Sequence, residues 1–212
     1  MPGGGQNLGD AMGNPAAGQV LVADGAPLQS VTWKNPAVSG AITYQSLLGW
    51  ASDSADAVST QIITVARIYV SKIPLANSLT VTNILYNITT ASGTGTHSFA
   101  ALFSSAGTVL GQSADQSAAW NATTGNYTTA LATPVVAAPL QANDFLWAAL
   151  YQGTAVTAAT FAAATSAVAL NIGTTAATSR SAYIALANTA TLTSFAPASL
   201  TATTSLIWMG IS

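Results

Sequence analysis

The chain contains no cysteine, no glutamate and a single histidine, His97. The missing cysteine excludes a disulfide, a thiolate metal site and a thiol nucleophile. Without glutamate, the carboxylate pair of a glycoside hydrolase would have to come from six scattered aspartates. Of these, Asp53 and Asp56 are close in sequence, within a polar stretch from Ser52 to Ser59 that reads as a solvated turn. That stretch also lacks the D-x-[DN]-x-[DN]-G pattern of a calcium loop. A Ser–His–Asp nucleophile would have to use His97. No G-x-S-x-G elbow accompanies it, and the residue opens a strand-like run, so a partly exposed strand-end histidine is expected. Phosphate-binding glycine loops, dinucleotide fingerprints and Cys/His zinc spacings are also missing. The expectation is a protein that is not an enzyme and uses no cofactor or metal.

Charge is scarce as well. Charged residues make up 5% of the 212 positions, against about 25% in an average soluble chain. With a net charge of -2 there is no electrostatic footprint for nucleic acid or an anionic membrane. Ala, Thr, Ser and Gly take the surface positions, and so neutral a surface is a solubility risk for a free monomer. An oligomer or larger assembly resolves that risk. Mean hydropathy is +0.45, but the most apolar stretch, Ala155 to Leu170, is interrupted by Thr157, Thr160, Thr165 and Ser166. It is also shorter than the ~20 apolar residues of a spanning helix. The start, MPGGGQNLGD, has neither the basic nor the apolar region of a secretory signal. Sequons at Asn87, Asn121 and Asn126 are chance products of a Thr-rich chain.

What is present is strand after strand. Residues 1–17 form a glycine-rich extended arm that cannot bury a core. Residues 18–36 read as a small hairpin, with Val20-Leu21-Val22 and Val31-Thr32-Trp33 as its strands around an Asp24-Gly25 turn. It is too small to be stable alone and must dock on something. Residues 37–60 fit neither period and are taken as a linker. From residue 61 to 212, Ile62–Ile73, Leu79–Ile88, Tyr127–Ala132 (ended by Pro134), Phe145–Tyr151, Tyr183–Leu186 and Ser205–Ile211 read as strands. In HSFAALFS, His97, Phe99, Ala101 and Phe103 share one side and the small residues the other, a strand with period 2. Ser105-Ala106-Gly107 turns it into a hairpin. Ala155–Ala169 suits a helix or a strand about equally. Short strands separated by turns at this spacing imply an all-β antiparallel sandwich, jelly-roll or immunoglobulin-like. Of the five tryptophans, Trp147 and Trp208 fall in strand runs and are expected in the core. Trp120 lies in the loop from Asp115 to Gly125, where it would fold back as a lid on the core or, exposed, stack on a sugar ring.

The runs LFSSAGTVLGQSADQSAAW and NYTTALATPVVAAPLQANDFLWAAL resemble a β-sandwich module of tailed bacteriophages, particularly those of actinobacterial hosts. Leu102, Phe103, Ser104, Ser105, Leu110, Gln112, Ser113, Asp115, Trp120, Pro134 and Trp147 stand at the positions of its pattern. The run GQVLVADGAPLQSVTWKNP resembles a segment that precedes many phage fibre and virion-surface domains. The resemblance implies a non-enzymatic structural protein on the surface of the virion, of capsid-decoration or head-fibre type. It would be attached through the N-terminal arm, with Val20, Leu21, Val31 and Trp33 as the attachment segment and other capsid or tail proteins as partners, commonly as a trimer. The alternative is a receptor-binding tail-fibre or minor tail protein. It would recognise a host surface carbohydrate through Trp120 with Asp115, Gln116 and Asn121 as polar partners.

Overall fold

The structure, a computed structural model, describes residues 20–23, 31–34, 47–52, 57–75, 77–138, 144–164 and 180–212, the first two stretches by their backbone. The chain divides into two compact units, Met1–Gln45 and Ser46–Ser212. In the first, β1 (Val20–Ala23) pairs antiparallel with β2 (Val31–Lys34), Leu21 opposite Trp33, so the hairpin read from the sequence is formed. The arm over 1–17, the Asp53/Asp56 pair and the turn over 139–143 lie outside the described residues.

The second unit is a two-sheet sandwich. Its elements are β3 (Gly49–Trp50), β4 (Ser59–Ile62), β5 (Arg67–Pro74), β6 (Leu79–Thr90), β7 (Thr96–Ser104), β8 (Val109–Gln112), helix α1 (Ser117–Ala122), β9 (Gly125–Ala137), β10 (Phe145–Thr154), β11 (Thr160–Ala164), β12 (Ser181–Ala185), β13 (Thr201–Ala202), β14 (Leu206–Ile207) and β15 (Met209–Ile211). Sheet I runs β4-β11-β6-β9 and sheet II runs β5-β10-β7-β8, all antiparallel. That is the strand order of an eight-stranded jelly roll. Consecutive strands β4, β5, β6 and β7 lie in alternate sheets, which sets aside the immunoglobulin-like topology, where neighbours such as A and B share a sheet. β14, β15 and β3 complete sheet I, and β12 and β13 extend sheet II past β5.

Sequence pattern accounts for each layer. On β6, Val81, Ile84, Tyr86 and Ile88 are buried while Asn83, Leu85 and Asn87 face outward half-exposed. This is the alternation of a strand with one face on a core. β10 shows no such alternation because both of its faces are covered. Ala148 and Leu150 join the core between the sheets, whereas Trp147, Ala149 and Tyr151 join a second apolar cluster on the outer face of sheet II. The phenylalanines of β7 belong to that second cluster too, and its smaller residues Ala100 and Leu102 fill the interior. Leu192, Phe195 and Leu200, from the segment between β12 and β13, close the second cluster from outside.

Several sequence expectations need correction. The apparent strand from Ile62 to Ile73 is two strands in different sheets. Its break falls at Ala66, which has φ 57°, and the chain crosses there from β4 to β5. Pro134 does not end its strand; β9 runs on to Ala137, and the proline sits where the β6–β9 register shifts, as strand prolines do. Thr160–Ala164 is extended, not helical. Part of the supposed linker, β3 and β4, belongs to the sandwich, so the compact unit starts at Ser46. Trp208 is half-buried between β14 and β15 and lies beside Met209, which alone of the two enters the core.

Candidate functional site

The loop singled out for ligand contact folds as helix α1 and is used up by structure. Trp120 is fully buried, edge-on to Tyr86 and Phe161 at ring distances of 5.7 and 5.0 Å. Its Nε1 donates to the Tyr86 hydroxyl at 2.8 Å, and that hydroxyl lies 2.7 Å from Thr129 Oγ1. No ring face is left for a sugar, so Trp120 is the lid that closes one end of the sandwich. The tyrosine it meets is harder to ionise than usual, because burial outweighs its hydrogen bonds.

The three polar neighbours are committed as well. The Asp115 carboxylate accepts the backbone N–H groups of His97 (3.2 Å), Ser98 (3.1 Å) and Ser117 (2.8 Å), and the Ser117 hydroxyl. Burial alone would raise its pKa; the four donors outweigh burial and hold it below the ordinary value. Gln116 donates its N–H to Ser98 O at 2.7 Å and its side-chain amide to Ala114 O at 3.0 Å. Asn121 Oδ1 accepts from Ser92 Oγ and Gly95 N, while its amide donates to Gly95 O. The position favours glycine, since a Cβ would stand 3.0 Å from Thr154 O and 2.7 Å from Gln152 Nε2. These groups tie the start of β7 and the loop before it to α1.

The structure also dismantles the triad option. Asp115 reaches His97 through the main chain, and the imidazole Nδ1 instead donates to Asn188 Oδ1 at 2.7 Å. His97 itself has φ 55°, left-handed backbone that the Asp115 bonds help to hold. Among the described residues no group of three or more His, Cys, Asp or Glu is placed to hold a metal.

A cavity of about 370 Å³ is lined by Lys72, Pro74, Asp144, Phe145 and Arg180. Lys72 Nζ sits 4.3 Å from the Phe145 ring centre and 5.0 Å from that of Trp147, a cation–π arrangement. Burial lowers the Lys72 pKa. The Arg180 guanidinium donates to Ala51 O across to the segment after β3. The cationic groups here hold strands together, and among the described residues the lining carries no hydroxyl nucleophile.

What the sequence reading missed is a surface. Exposed apolar side chains are spread along the outer face of sheet I: Trp50 at 43%, Ile62 at 61% and Val136 at 78% exposure, level with Leu85, Thr90 and Thr80 of β6. On β4 the polar Ser59 and Gln61 are the half-buried residues and Thr60 and Ile62 the exposed ones. Alternation alone could have signalled that inverted strand, had its sheet been known. Val20, Leu21, Val31 and Trp33, expected as an attachment segment, are held in the β1–β2 register, Val20 opposite Lys34 and Val31 opposite Ala23. No protein-family model matches the chain, and no curated protein matches it.

Proposed function

We propose that this chain is a non-enzymatic structural protein of a tailed-phage virion, exposed on the particle surface as a capsid-decoration or head-fibre subunit and attached through its N-terminal segment. The observation that carries this reading is the place of the phage-like run in the fold. Leu102 to Trp120 supplies the β7–β8 hairpin and the α1 plug of a jelly roll, an architecture that virus capsid proteins use repeatedly. The receptor-binding alternative has lost its residues, since Trp120 is buried and Asp115, Gln116 and Asn121 are bonded within the chain.

The test is to locate the chain in purified particles by mass spectrometry and in a map of the whole particle. A fixed copy number on the outer surface, with residues 18–36 against another virion protein, is the expected result. Absence of the chain from mature particles would overturn the proposal. A substitution that breaks the hairpin, Val22→Pro, is expected to leave the particle without the subunit while the sandwich still folds.

A further inference from the structure

We infer that the outer face of sheet I packs against the same face of a second copy of this chain. Three observations lead there. First, five of the seven exposed large apolar residues among those described lie on it or beside it, spread from one end to the other, with Val136 level with Thr80 of β6 and Ile62 level with Thr90. Leu48, Trp50, Val58, Ile62 and Val136 are 45%, 43%, 77%, 61% and 78% exposed and occupy outward positions on, or next to, β3, β4 and β9. Second, β4 is inverted, with its half-buried Ser59 and Gln61 turned toward the interior and its more apolar side toward solvent. A strand whose outer side is the more apolar one is placed to be covered.

Third, none of the seven strands of sheet I contains Asp, Lys, Arg or His. In the second unit every charged residue among those described belongs to sheet II or a connection: Arg67 and Lys72 on β5, and Asp115, Asp144 and Arg180 before α1, β10 and β12. This segregation chooses the occupant. A partner selected by charge would find no handle on the face, whereas an identical uncharged face can meet it without burying or opposing a charge. Asn87 and Asn126 already bond each other across β6 and β9 at 2.7 Å, so the polar side chains on the face are partly satisfied before contact. Size agrees. The 41 strand residues of sheet I, at about 3.4 Å each and about 4.8 Å between strands, make a face of roughly 670 Å², within the share one partner contributes to a standard interface.

The inference stands apart from the particle reading, because it concerns the isolated chain. The full chain is examined by light scattering and sedimentation over a dilution series, with no virion present. A reversible oligomer is expected. In the variant Val58→Lys/Ile62→Lys/Val136→Lys the three changed side chains are exposed, so the fold persists by circular dichroism, while the association constant falls by at least about tenfold as charges meet across the contact. The control Val156→Lys, 86% exposed on the loop before β11, is expected to associate like the unchanged chain. A wild-type chain that stays monomeric at the highest concentration would overturn the inference. So would a triple variant that associates as strongly as wild type, which would place self-association elsewhere in the chain.

Discussion

The outer faces of the two sheets receive opposite treatment. Sheet II has its back covered by the chain itself. Residues 186–200 cross it and seat Leu192, Phe195 and Leu200 on the Phe99, Phe103, Trp147 and Tyr151 side chains. The strap has little secondary structure of its own and is held by side chains reaching up from the sheet. Tyr151 donates to Ala187 O at 2.9 Å, Gln112 bonds Ala190 O and Leu192 N, and Phe195 N donates to Gly107 O at 2.9 Å. The sheet under the strap also carries charges, Arg67 and Lys72. Sheet I carries none on its strands and leaves apolar side chains exposed on its back. One protein thus shows both ways of finishing a sandwich: covering a face internally, and leaving a face fit for a neighbour.

Truncations on the interior, on the covered face and on the uncovered face should therefore differ in size and in kind. The largest loss is expected from Trp120→Ala, which empties the end of the interior and strands the Tyr86 hydroxyl, at about 3–5 kcal/mol in denaturant unfolding. Phe195→Ala, on the covered face, is expected to cost about 3 kcal/mol by the same measurement, since its ring lies 4.9 Å from that of Phe103. If it costs nothing, the strap is not a second core and the contrast collapses. Gly107→Ala should loosen the strap by more than about 1 kcal/mol, because Gly107 has φ 79° and a Cβ would meet Phe195 O at 2.1 Å. Smallest in stability is Ile62→Ala on the uncovered face, expected within about 0.5 kcal/mol of wild type. Its effect should appear in association instead.

Asp115 adds a pH dependence to the interior end. Its carboxyl titrates lower in the folded chain than the ordinary 3.8. The folded state therefore binds fewer protons than the unfolded one in that range. The stabilisation is present above the unfolded value and is lost as pH falls through it toward the folded value. The wild-type melting temperature is expected to drop between about pH 5 and pH 3 more steeply than that of Asp115→Asn. Parallel slopes would show that the carboxylate contributes nothing through its charge.

Much of the sandwich was legible because its strands obey a local rule. β6 and β10 announce themselves through β-branched and aromatic runs, and the β7–β8 hairpin through Gly107. What could not be read depends on which strand lies beside which. Ile62 to Ile73 keeps one alternation across a change of sheet, so periodicity hid the crossing at Ala66. The strap residues Leu192, Phe195 and Leu200 follow neither a 2 nor a 3.6 period, because a segment lying across a sheet contacts it at irregular intervals. The candidate site failed for a related reason. Asp115, Gln116, Trp120 and Asn121 have the composition of a sugar site, and their commitment to His97, Ser98, Tyr86 and Gly95 shows only in three dimensions. The segregation of charge, which supports the interface, is invisible until strands are sorted into sheets.

Eight of the twelve connections between β3 and β15 cross from one sheet to the other, which bears on how the chain is made. β14 and β15, residues 206–211, are buried against β11 and β6, and their Leu206, Ile207, Met209 and Ile211 are part of the interior core. Sheet I therefore lacks inner residues until that stretch has left the ribosome, long after β6, its longer neighbour in that pairing, was synthesised. Emerging chains must wait with an open sheet, and so many distant pairings slow the final closure. With so few charges that waiting surface is open to association, and a chaperone able to shield an unpaired strand edge would shorten the period of risk.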